Sequence, residues 1–257
     1  EADAITALNT MLAQDGLFIY VPKNVQLERT IQVINILRSD VDLMVNRRVL
    51  IVLEEGAKAQ FLFCDHAADD RNFLATQVIE AYVGANASLE LNCLEETHAK
   101  NVRVSNVYIE QQRDSRVSHN VITLHNGVTR NMLDLVFKGE GSECFCNGCV
   151  IADKNQHVDN NTVIDHQVPH CTSSELYKYV LDENAVGAFA GNIKLQGAIG
   201  QGSTNSVAVY AASGQGSGIT QQNITSVLTG DLKAVNITDF NVGIGSENSA
   251  PSTVSKK

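Results

Sequence analysis

Four residues in the second half of the chain carry side chains that bind iron or zinc. His157, His166, His170 and Cys171 supply imidazole and thiol groups, which are common ligands of both metals. Their spacings of nine and four residues do not place them on one face of a single helix or strand. They are candidate cofactor-binding residues. The favoured alternative is structural, because polar side chains of this kind cap turns and satisfy buried backbone groups.

A second group of candidate ligands has the pattern C-x-C-x-x-C. It consists of Cys144, Cys146 and Cys149, and thiolates at this spacing can hold an iron–sulfur cluster or zinc. Cys144 and Cys146 alternate with Phe145 as residues of a strand do, and Asn147-Gly148 is typical of a turn. Inward-facing thiols in a core are therefore the favoured interpretation, with the three cysteines kept as candidate metal ligands. We expect the chain alone to bind no cofactor stably.

Composition excludes several classes of protein. The net charge of −10 argues against nucleic acid as a partner, because phosphate binding needs a basic surface. The sequence contains no G-x-x-x-x-G-K-[ST] phosphate loop and no run of 18 apolar residues, so neither a P-loop ATPase nor a membrane-spanning helix is expected. Six cysteines in 257 residues, with no signal-peptide pattern at the first residue, indicate reduced thiols and a cytoplasmic location.

The elements that must position these residues are mainly strands. Residues 1–16 predict one helix, because Ile5, Leu8, Met11 and Leu12 follow helical spacing and Gly16 can end it. Residues 17–22 then predict a buried strand, and an apolar run over residues 31–37 predicts a second.

A repeat of 27 or 28 residues follows. Each unit has a polar turn, a small residue and a strand with two-residue alternation, and the units begin at Gly56, Gly84, Gln112 and Gly139. One such unit cannot bury its own apolar face, so stacking into a solenoid is expected. The sequence therefore predicts an all-β fold, a right-handed parallel β-helix with a short N-terminal helix. A jelly roll or β-sandwich is the alternative.

The composition changes after Gly191. All cysteines and histidines precede this point, and residues 192–257 are rich in Gly, Ser, Thr, Asn and Gln. We predict an N-terminal helix over 1–16, a β-helix core over 17–191, and over 192–257 a polar continuation or cap. In this last part, residues 206–210, 224–228 and 234–237 predict short strands.

Two segments resemble the SufB/SufD family of iron–sulfur cluster assembly proteins. Residues 16–25, G-L-F-I-Y-V-P-K-N-V, resemble the family's entry into its β-helix, and 189–191 match its F-x-G. The more specific segment is 156–178, Q-H-V-D-N-N-T-V-I-D-H-Q-V-P-H-C-T-S-S-E-L-Y-K. It resembles the family pattern H-x-D-x-x-T-x-x-D-H-x-x-P-H-C-x-S-x-E-L-Y-K. The short β-helix entry favours a SufD type over a SufB type.

The resemblance implies a scaffold subunit and not an enzyme. Such a subunit pairs with a SufB-type scaffold, is driven by a SufC-type ATPase, and takes part in building iron–sulfur clusters in the complex; a homodimer is expected for the chain alone. Residues 192–257 depart from the family, because its Q-T-x-x-x-N-x-N-L-L-L and C-S-H-G-A-T stretches and its helical end have no counterpart there. The alternative is a carbohydrate-active or surface-exposed β-helix, although Asp69-Asp70 and Glu95-Glu96 do not form catalytic pairs if adjacent strand residues face opposite sides.

Overall fold

The computed structural model describes residues 4–196, 204–213, 218–229 and 236–244. These residues form one helix and sixteen strands. The bounds are α1 Ala4–Leu12, β1 Asp15–Val21, β2 Ile31–Leu37, β3 Leu43–Leu53, β4 Lys58–Ala67, β5 Phe73–Val83, β6 Ser88–Glu96, β7 Asn101–Gln111, β8 Arg116–His125, β9 Val128–Phe137, β10 Glu143–Ala152, β11 His157–His166, β12 Thr172–Leu181, β13 Val186–Gln196, β14 Thr204–Ser213, β15 Gly218–Thr229 and β16 Asn236–Ile244.

The strands form two eight-stranded sheets. Strands with odd numbers make one sheet and strands with even numbers make the other, which we call the odd sheet and the even sheet. All neighbouring strands within each sheet are parallel. Each turn of the chain thus adds one strand to each sheet, which confirms the parallel β-solenoid and contradicts the antiparallel alternatives.

The core lies between the two sheets because the side chains alternate along each strand. In β3, for example, Val49, Ile51 and Leu53 are buried and face inward, whereas Leu50 and Val52 face outward and are half-buried. Stacking places the same inward position of successive turns one above another. Large apolar side chains fill most of this interior, among them Phe61, Leu91, Ile109, Leu135 and Phe137.

A recurring turn joins each odd strand from β1 to β11 to the next even strand. One residue in each of these turns has a positive φ, a conformation that Gly, Asn and Asp tolerate better than other residues. Backbone hydrogen bonds link successive turns, as from Gly56 N to Ala85 O at 2.8 Å. The positive-φ residues of these turns are Asn24, Gly56, Asn86, Asp114, Gly141 and His170.

The strand register corrects one step of the repeat. The sequence repeat aligns Gly56 with Gly84, but Lys58 pairs with Ser88, which places Gly56 beside Asn86. The first repeat is therefore two residues longer than its sequence suggests. Since the turn needs a residue that tolerates positive φ, the aligned position is Asn86 and not the nearest glycine.

The N-terminal helix ends earlier than predicted and presents its polar side to the solenoid. α1 ends at Leu12, and Gly16 lies within β1. Thr6 and Asn9 are buried, whereas Met11 is 73% exposed. The reason is a set of hydrogen bonds: the Asn9 amide donates to Arg47 O at 3.0 Å and to the Thr76 hydroxyl at 2.9 Å on the odd sheet.

The two ends of the solenoid also qualify the predictions. Strand β1 was expected to be buried, but only Val21 of its residues is, because β1 has a neighbour on one side alone within the described residues. At the other end β14, β15 and β16 continue the two sheets. They match the strands predicted at 206–210 and 224–228 and overlap the third, of which residues 234–235 lie outside the described part. Among the residues that the structure describes, no helix could cross a membrane.

Candidate functional site

The four candidate residues of the signature segment do not converge. His157 begins β11 and faces outward, whereas His166 ends the same strand inside the solenoid, with its ring 4.6 Å from that of Phe137. His170 occupies the positive-φ position of a turn. Cys171 is buried beside that turn, where burial raises the pKa of its thiol. The geometry therefore gives these residues separate places in one turn of the solenoid.

The three cysteines of the C-x-C-x-x-C segment divide between the two faces of β10. Cys144 and Cys146 are buried in the interior, and Cys149 is exposed on the outer face of the even sheet. A hydrogen bond with Cys144, together with burial, raises the pKa of the Cys146 thiol. The three thiols cannot bind one ion from this strand, because Cys149 points away from the other two.

Asn147-Gly148 is not the turn that the sequence predicts. Both residues lie in the middle of β10. Gly148 faces inward, and a Cβ atom added there would lie 2.1 Å from Cδ1 of Tyr177 on the neighbouring strand. The glycine is needed because the Tyr177 ring occupies the space of a side chain at this position. In the part of the chain that the structure describes, no three His, Cys, Asp or Glu side chains are placed to hold a metal ion.

A buried network of charged side chains lies at one edge of the interior. Asp65 forms ion pairs with two arginines, at 2.8 Å from Arg47 Nη1 and at 2.7 Å from Arg103 Nε, which also donates a hydrogen bond to the carboxylate. Glu95 lies 3.9 Å from Arg103 Nη1. All four side chains are at most 9% exposed. Asp65 and Glu95 belong to adjacent strands of the even sheet, and both arginines belong to the odd sheet, so the network joins the sheets.

The two carboxyl groups of this network differ in their protonation. Burial alone would raise the pKa of Asp65, but Arg103 and Arg47 lower it to about 2. Burial raises the pKa of Glu95 to about 7, which the more distant Arg103 offsets only in part. The nearest group to Glu95 is the Thr129 hydroxyl, 2.8 Å from both carboxyl oxygens. At neutral pH the network thus holds one ionised carboxylate and one that is near its titration point.

A separate column of polar side chains lies in the interior, on later turns of the solenoid. His119, Cys146 and Glu175 occupy the same inward position on β8, β10 and β12. Burial lowers the pKa of His119 to about 4 and raises that of Glu175 to about 7. The Thr162 hydroxyl donates to Glu175 Oε2 at 2.6 Å.

A small cavity opens beside His119. It has a volume of about 10 Å³, room for one water molecule, and it is lined by polar and apolar side chains that include Cys93, Arg103, Asn131 and Asn160. Neither ring nitrogen of His119 has a hydrogen-bond partner among the described residues. A water molecule in this cavity would satisfy a buried polar group.

Sequence reasoning did not single out the charged network or the polar column. A signal was present, because Arg47 and Arg103 fall in the inward phase of strands whose other inward residues include Val49 and Val107. Buried arginine needs a partner, so a charged residue in the apolar phase of a strand indicates an acid across the interior. The identity of that acid depends on how the two sheets stack.

Comparison with known proteins gives the chain a family. A family model described as "SUF system FeS cluster assembly, SufBD core domain" matches residues 35–208. This match extends past Gly191, the residue after which the composition changes. A second, described as "SufBD protein N-terminal region", matches residues 1–33.

Individual relatives carry the same family description. An iron–sulfur cluster assembly SufBD family protein of Synechocystis sp. is 23% identical over an alignment of 207 residues, and the alignment covers 74% of this chain and 44% of that protein. One of Staphylococcus epidermidis is 25% identical over 178 residues, 68% of this chain and 37% of that protein. A chloroplastic one of Arabidopsis thaliana is 23% identical over an alignment of 202 residues, which covers 74% of this chain and 36% of that protein. The chain spans less than half the length of these relatives. The core-domain match covers most of the described solenoid, and the chain belongs to the SufBD family of iron–sulfur cluster assembly proteins.

Proposed function

We propose that this chain is a SufD-like scaffold subunit that acts in a complex with a SufB-type scaffold and a SufC-type ATPase. The observation that carries the proposal is the match of the SufBD core domain to residues 35–208, which include most of the stacked solenoid. The sequence has no phosphate loop of its own, which agrees with ATP hydrolysis by another subunit.

The iron–sulfur cluster is the cargo of this complex, not a resident cofactor of the chain. The thiols of Cys93, Cys146 and Cys171 stay protonated because their pKa values are raised. A hydrogen bond with Cys144 and burial raise that of Cys146, and burial raises the other two, that of Cys93 to about 12. A protonated thiol is a poor ligand and a poor nucleophile. We infer that cluster formation uses groups that the chain supplies jointly with a partner. We also infer that the chain alone is not an enzyme and forms a homodimer, and that the complex is cytoplasmic.

A carbohydrate-active β-helix is not favoured. Such an enzyme needs two carboxyl groups that face one groove. Glu95 is buried in the interior, whereas its neighbour Glu96 faces outward near His66, so this pair does not provide them. The other acidic pair includes Asp70, which forms an exposed ion pair with Lys100.

Co-expression tests the proposal. The full chain would be produced with SufB-type and SufC-type subunits, purified without oxygen, and analysed for iron and sulfide. We expect the three subunits to co-purify and to hold more cluster than either the SufB–SufC pair or the chain alone. The proposal is wrong if the folded chain does not co-purify, or if the pair without it assembles as much cluster.

A further inference from the structure

An acidic, aromatic groove lies on the outer face of the odd sheet. It has a volume of about 180 Å³. Its outward side chains come from β5, β7 and β9 in two adjacent columns, so that acids alternate with tyrosines. One column is Glu80, Tyr108 and Asp134, and the other is Tyr82, Glu110 and Val136.

Two contacts connect the groove to its surroundings. The Tyr108 hydroxyl lies 2.9 Å from Thr6 Oγ1 of α1, which fixes the ring at the side of the groove nearest the helix. Arg48 pairs with Glu80 at 2.9 Å, so this acid is already neutralised from within the chain. Tyr82 is 46% exposed and leaves the face of its ring accessible.

Of the three acids of the groove, only Glu80 has a basic side chain at ion-pair distance within the described residues. Glu110 accepts a hydrogen bond from the Gln112 amide at 3.0 Å, and neither Glu110 nor Asp134 forms an ion pair within the described ranges. Partial burial raises the pKa of Asp134, a shift that the positive charge of Lys194 opposes. A half-buried carboxylate without an ion pair favours an added cation, because the cation restores the stabilisation that water no longer supplies.

The alternation of rings and acids favours arginine over other cations. A guanidinium group can stack on a tyrosine ring while its edge donates two hydrogen bonds to a carboxylate, whereas an ammonium group cannot do both. Glu110 and Asp134 are diagonal neighbours on adjacent parallel strands, roughly 7–8 Å apart. Arginine side chains one helical turn apart, on a pitch of about 5.4 Å, can span such a pair because they are long and flexible.

We propose that this groove binds a helix of a partner protein through two arginines placed one turn apart. A helix is the expected occupant because α1 already lies on the same face, and helices are the elements that cover exposed sheet faces in layered folds. The negative charge of the groove, which is part of the chain's net charge of −10, attracts a basic segment and repels nucleic acid.

Synthetic peptides and the full chain test the proposal. The probe is a helical peptide with two arginines at positions i and i+4, compared with the same peptide carrying lysine or the uncharged analogue citrulline. Calorimetric titration should show the arginine peptide binding about tenfold more tightly than the lysine peptide, and the citrulline peptide should not bind. Equal binding of the three peptides would overturn the proposal.

Variants of the chain locate the binding site. Asp134→Asn and Glu110→Gln should each weaken binding of the arginine peptide about tenfold, and Tyr82→Ala should do so by a similar factor. The matched controls are Glu90→Gln and Glu96→Gln, which make the same change of charge on the outer face of the even sheet and should bind as the parent does. If the controls weaken binding equally, the attraction is unspecific and the groove is not the site.

A second copy of the chain is the other occupant of the groove to be tested. Sedimentation of the chain without peptide would be measured over a hundredfold range of concentration. If the chain associates and Asp134→Asn with Glu110→Gln abolishes the association, the groove binds a second copy and the proposed partner helix is wrong. Circular dichroism of each variant establishes that the solenoid is intact.

Discussion

Removal of the Asp65 carboxylate tests the buried network. In Asp65→Asn the guanidinium groups of Arg47 and Arg103 remain buried, without the acid that lies 2.8 and 2.7 Å from them. Breaking a buried ion pair by removing one partner costs about 3–5 kcal/mol, because the remaining charge cannot be solvated. We therefore expect the free energy of unfolding at pH 7 to fall by about that amount.

The pH dependence gives a second, independent magnitude. The pKa of Asp65 falls from 3.8 to about 2 on folding, and such a shift is worth about 2 kcal/mol. Because the folded pKa is the lower one, this stabilisation is complete above about pH 4 and is lost as pH falls toward 2. The variant should therefore lose less stability than the parent over this acidic range.

The assay is urea unfolding followed by circular dichroism and by intrinsic tyrosine fluorescence. Agreement of the two probes is required, because stacked repeats can unfold in segments. The matched control is Asp70→Asn, which breaks the exposed pair with Lys100 and should change the free energy of unfolding little, because water screens this pair. If Asp65→Asn lowers the free energy of unfolding no more than the control does, the buried network does not stabilise the fold.

Four further predictions follow from single residues of the interior and the surface. Gly148→Ala should lower the free energy of unfolding by about 1–3 kcal/mol or more, because its Cβ would overlap the Tyr177 ring; urea unfolding measures this. Glu175→Gln should stabilise the folded chain more at pH 8 than at pH 5. The parent loses up to about 3 kcal/mol of folding stability as pH rises from 4.5 to 7, because its buried carboxyl has a folded pKa of about 7 and must ionise. Equal effects of the substitution on urea unfolding at the two pH values would contradict this prediction. The parent should lose up to about 3 kcal/mol of folding stability as pH falls from 6.5 to about 4, because the imidazole of His119 takes up a proton in the unfolded chain but not in the folded one. His119→Leu should remove this pH-dependent loss. Titration of the native chain with a thiol reagent should modify Cys149 alone among the six cysteines, and Cys149→Ser should abolish that reaction; rapid modification of more than one thiol would contradict the burial described.

Local sequence signals were sufficient for the general architecture. Each turn of the solenoid must contain a strand that alternates and a residue that tolerates positive φ, and both requirements leave a period in the sequence. The repeat starting near Gly56 therefore predicted stacked parallel strands, and the segment at 156–178 carried the family resemblance. The alternation also placed Cys144 and Cys146 correctly inside the solenoid.

Contacts between distant elements required the tertiary structure. The spacing of Met11 helped to predict a helix, but it did not show which side of α1 faces the solenoid; α1 rests on polar groups of the odd sheet and Met11 points outward. Asn147-Gly148 lies within β10 and does not form a turn, and the ring of Tyr177 from the next strand of the sheet fills the space beside Gly148.

The sequence by itself thus determined the repeating unit, because strand alternation and turn conformation depend on neighbouring residues. The structure alone decided which inward side chains meet. Arg103 and Asp65 are 38 residues apart, and their contact depends on the register with which the two sheets stack. A shift of two residues, such as the one from Gly84 to Asn86 as the partner of Gly56, moves a side chain to a different position in the interior, and no local pattern specifies that register.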